Sequence, residues 1–272
     1  MKTVLITGAS KGIGKATALI FQKNGWNVAA TMRDPEKESD LSGYQNIICY
    51  QLDVKDQDSI KRCIQSILQD FGGIDVLINN AGIYTTKPLE MTSEDDIYDI
   101  THTNIMGPIN TMKAIIPYFR SIKKGLIINI SSVAGRTTFP YQSLYHGTKW
   151  AIEGISEGLL YEMKQLNIVI KIVEPGMVRT DLYEETKDLI IDDYPTEYRH
   201  SFKKWNKYLM KNYQEGLTSD VTAKTIYKAA VDNKSKFRYI SDSDSDTKMI
   251  LTLRSLLPFS LFKRVVSRLS GM

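Results

Sequence analysis

Val4-Leu5-Ile6 leads straight into Thr7-Gly8-Ala9-Ser10-Lys11-Gly12-Ile13-Gly14, and Ala16, Leu19, Ile20 and Phe21 follow at helical spacing. A short, wholly apolar run reads as a strand buried on both faces, and a parallel sheet is the usual home of such a strand. A strand that turns through glycines into a helix is half of a βαβ unit, so the N-terminus already commits the chain to an α/β architecture. Glycines let a backbone approach a pyrophosphate closely, and a helix N-terminus offers N–H donors and the positive end of a dipole. The spacing here is G-x-x-x-G-x-G rather than G-x-G-x-x-G.

The rest of the chain continues the alternation. Strands are expected at Trp26 to Thr31, Ile47 to Leu52, Ile74 to Ile78, Gly125 to Ile130, Ile168 to Val173 and near Phe237 to Ile240. Between them, helices are expected from about Asp56, after Ser93, from Pro108 and from Ser219 to Val231, with a kink or break at Pro117. The second strand ends in Met32-Arg33, with no acid at its tip. Arg33 and Lys11 therefore suit a 2′-phosphate and favour NADP, and Asp34 keeps NAD open as the alternative. Asn79-Asn80-Ala81-Gly82 closes the fourth strand; it can be a plain turn, or a small-residue bed for a cofactor ribose. Asn104 sits inside a helical stretch, where asparagine is mildly unfavourable, and caps a kink near Gly107-Pro108 unless it serves the site.

The densest chemistry follows the fifth strand. Ser132 lies at its mouth, Tyr145 comes thirteen residues later, and Lys149 follows Tyr145 by four. Residues at i and i+4 share a helix face, so the phenol and the ammonium point the same way in a long helix. That arrangement is a proton-transfer site in outline. His146 points about a quarter-turn away and is expected to be structural or to sit on the rim.

These motifs, in this order and spacing, resemble the short-chain dehydrogenase/reductase family, in its short single-domain branch. They are Thr7 to Gly14, Asp53, Asn79 to Gly82, Asn104, Ser132, Tyr145, Lys149 and Pro175-Gly176. The resemblance implies one Rossmann-type, doubly wound parallel sheet of seven strands in order 3-2-1-4-5-6-7, with helices on both faces and one domain over residues 1–272. It implies an NAD(P)-dependent oxidoreductase that moves hydride between nicotinamide and a carbonyl or alcohol. Tyr145 would be the general acid/base, Lys149 the phenolate stabiliser, Ser132 the oxygen-binding hydroxyl and Asn104 the support of a proton-refilling water chain. Cofactor contacts carry over to Gly8, Ser10, Lys11, Gly12, Ile13 and Gly14, then to Arg33, Asp53 and Val54. They continue at Asn80, Ala81 and Gly82, at Tyr145 and Lys149 themselves, and at Pro175, Gly176, Val178 and Thr180. No metal site is implied. A sugar-nucleotide epimerase would use another glycine spacing and a longer substrate domain. An NADP-sensing binding module would not need the complete Ser132, Tyr145, Lys149 and Asn104 set, and an NAD-dependent alcohol or hydroxysteroid dehydrogenase is the nearest alternative.

Residues 181–216 change character. Tyr183, Tyr194, Tyr198, Phe202, Trp205, Tyr208 and Tyr213 stand among charges, as expected of a lid over a hydrophobic substrate, with Trp205 as its largest wall. After the polar connector Ser241 to Asp246, residues 247–272 form a basic amphipathic tail. It is expected to pack on the lid or a partner subunit, with weak peripheral membrane contact as the alternative. The helices near Pro108 to Ile122 and Gly147 to Leu166 are expected to pair copies into a homodimer or homotetramer. A net charge of +4 gives no argument for nucleic acid. Two cysteines, no leader-like segment and no run long enough for a membrane span point to reduced thiols and a cytoplasmic protein.

Overall fold

The computed structural model describes residues 1–184, 193–241 and 245–270. Parts of the expected lid (185–192), of the polar connector (242–244) and of the tail (271–272) lie outside the described residues. In chain order the elements are β1 (Thr3–Thr7), α1 (Gly12–Lys23), β2 (Asn27–Met32), β3 (Ile47–Gln51), α2 (Gln57–Phe71), β4 (Val76–Asn79), α3 (Glu94–Thr101) and α4 (Gly107–Ser121). They continue with β5 (Gly125–Ile130), α5 (Ser143–Met163), β6 (Ile168–Glu174), α6 (Asp181–Glu184), α7 (Thr196–Gln214), α8 (Ser219–Val231), β7 (Arg238–Ile240), α9 (Ser245–Leu256) and α10 (Phe259–Ser270).

The seven strands form one parallel sheet in the order β3-β2-β1-β4-β5-β6-β7. All five residues of β1 are buried, as a strand covered on both faces requires. Alternation then divides the strand: Val4 and Ile6 join the core beneath α1 and α8, around Phe21, Trp26 and Ile226. Leu5 joins the opposite core beneath α2, α4 and α5, around Ile60, Ile67, Phe119 and Met163.

Local chemistry sets the helix ends. Asp56 caps α2 by accepting from the N–H groups of Asp58 and Ser59, and Gly72 ends that helix in the left-handed region. Ser93 and Asp96 form a reciprocal capping box at the start of α3. Two expectations need correction. Helix α4 runs through Pro117 to Ser121 without a break. Asn104 caps no kink: it lies in a π-helical turn, His102–Met106, that joins α3 directly to α4. Such one-turn bulges insert a residue without ending the helix, and they recur at functional sites.

Gly125 opens β5 where a Cβ would stand 2.3 Å from Cγ of the buried Phe119. Gly125→Ala is expected to lower stability by about 1–3 kcal/mol through overpacking. A shifted urea midpoint would show it, and an unchanged midpoint would mean that Phe119 can yield.

Candidate active site

The winding of the sheet reverses between β1 and β4, and the crevice beyond the carboxyl ends of such a pair is where α/β sheets receive ligands. Here the two strand ends are clipped together. The Thr7 hydroxyl accepts from the backbone N–H groups of Asn80 and Ala81, each at 3.0 Å. The Asn80 amide donates to the carbonyls of Thr7 and Gly8, each at 2.9 Å. Gly8 has φ +64°, and a Cβ there would meet the Ala81 Cα at 2.8 Å. At Gly14 a Cβ would fall 2.2 Å from the Gly8 carbonyl oxygen. Only glycine lets the loop fold this tightly onto the start of α1. Lys11 precedes α1 without a side-chain capping bond, so the cap residue leaves the first-turn N–H groups open.

Across the crevice, β5 delivers Ser132 and α5 delivers Tyr145 and Lys149. The Ser132 hydroxyl accepts from the Ala134 N–H at 3.1 Å and donates to the Pro175 carbonyl at 3.3 Å, which ties the turn after β5 to the turn after β6. The Lys149 ammonium donates to the Ile130 carbonyl at 3.0 Å and lies 5.7 Å from the Tyr145 ring centroid. Burial pushes the Tyr145 phenol up to about 12, with the Ser132 hydroxyl pulling weakly the other way. Burial also draws Lys149 down to about 8, against the opposing pull of the Glu153 carboxylate. The low-dielectric pocket thus favours the neutral form of both groups.

Asn104 stands behind the site. Its amide exchanges hydrogen bonds with the Ile83 backbone at 2.8 Å in both directions and donates to the Thr148 hydroxyl at 3.2 Å. It thereby fastens α5, beside Tyr145, to the segment after β4. His146 is structural: Nδ1 bonds the Ala134 carbonyl at 2.9 Å, Nε2 accepts from the Phe139 N–H at 3.0 Å, and burial holds the ring's pKa down.

Every residue singled out for catalysis or cofactor contact lines one cleft, except Gly14 and Asn104, which lie directly behind it. Arg33 lines it beside Met32, whereas Asp34 turns away to Lys37 at 3.1 Å. Lys11 reaches across the mouth to within 3.9 Å of Asp181, a solvent-exposed pair of little energetic weight. The residues fit a dinucleotide: the glycine cradle has no room for a Cβ at Gly8 or Gly14 and lies in the cleft at the open N-terminus of α1.

Motif reading missed two residues that shape the site. Tyr84 packs edge-on to Tyr145 with centroids 4.9 Å apart and receives the Gln142 amide. Nothing in its local sequence links it to Tyr145. Glu153 lies one helical turn beyond Lys149, a spacing that could have revealed it; it is buried and bonded to Arg238 at 2.9 Å. The expectation for Trp205 is corrected. It is 2% exposed, stacks on Phe139, donates to the Thr86 hydroxyl at 3.2 Å and is absent from the cleft lining. With Tyr194, Phe202, Leu209 and Tyr213 it forms a small core of its own, and among the described residues of this region Leu182 is the apolar one at the cleft.

The family model described as short chain dehydrogenase matches residues 2–189. An uncharacterized oxidoreductase of Schizosaccharomyces pombe is 40% identical over 208 residues, 76% of this chain and 87% of that protein. A 3-ketodihydrosphingosine reductase of Bacteroides thetaiotaomicron is 35% identical over 213 residues, 78% and 77% of the two chains. Among solved structures, ElxO with NADP bound superposes with a TM-score of 0.74 at 36% identity, covering 89% of this chain and 97% of that one.

The Glu153 carboxylate favours the charged form of Lys149, so its removal is expected to let Lys149 deprotonate at still lower pH. In Glu153→Gln the Lys149 midpoint should fall below about 8. Isotope-labelled lysine NMR across a pH series measures this directly. A midpoint equal to that of the unmodified protein would remove Glu153 from the site.

Proposed function

The chain belongs to the short chain dehydrogenase family, and on that premise we propose that it is an NADPH-dependent reductase of hydrophobic aldehydes or ketones. The observation that carries this reading is the buried Tyr145 phenol beside Lys149 and behind Ser132, in the same cleft as the glycine loop. The loop from Gly8 to Gly14 and the open first turn of α1 would hold the cofactor's diphosphate. Asp53 and Val54 would flank its adenine end, Asn80 to Gly82 its ribose, and Pro175, Gly176, Val178 and Thr180 its nicotinamide end. NADPH supplies the hydride.

The chain's own residues do the rest. Ser132 would hold the substrate oxygen by a hydrogen bond that strengthens as negative charge develops there. Tyr145 would hand its phenolic proton to that oxygen. A phenol held up to about 12 keeps its proton throughout the physiological range, which suits reduction. Lys149 below about pH 8 carries the positive charge that steadies the resulting phenolate. Asn104 would act as a positioning residue, through Thr148 and the Ile83 backbone, and support the return of the proton.

Arg33 at the β2 tip, with Asp34 turned to Lys37, supports the 2′-phosphate reading, as does the NADP in the ElxO structure. Leu182 at the cleft, the aromatic core behind it and a relative named for a lipid ketone support an apolar substrate.

Tyr145→Phe is expected to keep NADPH affinity, read by fluorescence titration, and to lower kcat toward a long-chain aldehyde by about 10²–10⁴-fold. Retention of more than about a tenth of the rate would sink the assignment. Arg33→Ala is expected to weaken NADPH binding by about 10–100-fold and leave NADH binding nearly unchanged. Equal losses for both cofactors would return Arg33 to the solvated surface of the turn.

A further inference from the structure

From Thr247 to the C-terminus the chain holds five cations, Lys248, Arg254, Lys263, Arg264 and Arg268, and no carboxylate side chain. The whole chain carries +4, so residues 1–246 carry −1 and all of the net positive charge belongs to the tail. The structure divides the tail's apolar residues in two. Ile250, Leu251 and Phe262 are buried against Val133, Phe139 and Ile240, which seats α9 and α10 on the protein. A second set faces outward: Met249 is 50% exposed, Leu256 74%, Phe259 61%, Leu261 43% and Leu269 42%. These five make up a third of the large exposed hydrophobic residues among the described residues, in a tenth of the chain. Leu256 and Phe259 flank Pro258 at the turn between the two helices. On α10, Leu261, Arg264 and Arg268 recur at i, i+3 and i+7, with Leu269 beside them, so cations and exposed leucines share a face.

We propose that the α9–α10 turn and the outer face of α10 form a docking surface for an anionic lipid bilayer. A helix that combines basic and exposed apolar residues lies in the headgroup region, where apolar side chains reach the acyl boundary and cations meet anionic lipid. Leu256 and Phe259 stand exposed at the turn, the latter with the Arg254 guanidinium 5.6 Å from its ring centroid, and a fluid surface can close around both. A second copy of the chain fits less well. A two-fold interface sets the same patch against itself, so the basic face with Arg264 and Arg268 would meet an equally basic one. Helix α9 sets Thr247, in its first turn, against Gly176 at the cleft and ends at the exposed turn about 14 Å away. A docked protein would therefore carry its cleft close to the bilayer.

The test is cosedimentation of the full chain with vesicles of phosphatidylcholine alone and of phosphatidylcholine with phosphatidylserine. The protein should pellet with the second kind only, and added salt should release it. Arg264→Gln with Arg268→Gln should weaken the partition by about 30-fold, and Leu256→Ser with Phe259→Ser by about tenfold or more. All four residues are exposed, so both double variants should unfold at the wild-type temperature. A wild-type chain that stays in the supernatant with both vesicles overturns the proposal, and so do variants that pellet like wild type. If the wild type ignores vesicles and Leu256→Ser with Phe259→Ser converts a dimer to a monomer by light scattering, the face belongs to a second copy. Binding is read without turnover, so its failure leaves the reductase reading intact, and a failed Tyr145→Phe test leaves the docking surface intact.

Discussion

The clip between Thr7 and Asn80 is the constraint on which the site depends. Where the winding reverses, the chain leaves β1 and β4 in opposite directions, and the backbone groups at the two strand ends lose their ladder partners. The Thr7 hydroxyl and the Asn80 amide satisfy four of them. They also fix how far the glycine loop can swing from the sheet. Asn79, one residue earlier, points to the opposite face and does different work. Its amide donates to Asn129 at 2.8 Å and its carbonyl oxygen accepts from the Thr111 hydroxyl at 2.6 Å. Asn129 in turn donates to Ser156 on α5 at 2.8 Å. A buried polar chain therefore runs beneath the sheet to the helix that carries Tyr145 and Lys149. Such a chain specifies position only because each member is satisfied.

The same burial that positions the two reacting groups also sets their chemistry. A phenol and an amine side by side in a dry cleft both drift toward neutrality, one upward and the other downward. Two neighbours oppose that drift. Ser132 favours the phenolate, and Glu153, itself held by Arg238, favours the ammonium. Both neighbours come from elements whose placement the sheet already determines, so the balance of charge states is a property of the fold.

Much of this was legible in the chain. Apolar runs located all seven strands to within a residue or two, and Ser219–Val231 appears as the expected helix with both ends in place. The glycine loop and the Tyr145-to-Lys149 spacing were legible because their geometry is local. What stayed hidden depends on tertiary contact. Asn79 and Asn80 are adjacent and chemically identical, and only the strand's alternation separates them. Asn104 read as a kink cap because a π-helical turn has no composition of its own. Pro117 read as a break, yet inside a packed helix it forfeits a single bond. Trp205 read as a pocket wall because composition shows that an aromatic must be covered and leaves open what covers it. The tail, expected on the lid or a partner subunit, seats its buried residues on Val133, Phe139 and Ile240, and Pro258 divides it into two helices with an outer surface that no period could separate from the inner one.

Phe139 has neighbours in two places. It stacks against Trp205 in the aromatic core of α7, and it also packs beneath Ile250, Leu251 and Phe262 of the tail. One ring is thus shared by the two apolar clusters, beside the direct contact of α10 with α7. Loosening α7 strips one side of Phe139 and weakens the seat of α9 and α10; freeing those helices strips the other side and weakens the packing of α7. Thermodynamic reciprocity makes the exchange symmetric. Whatever steadies the C-terminal hairpin from outside must also steady the aromatic core of α7, and a change that loosens that core must be felt in how firmly the hairpin is held.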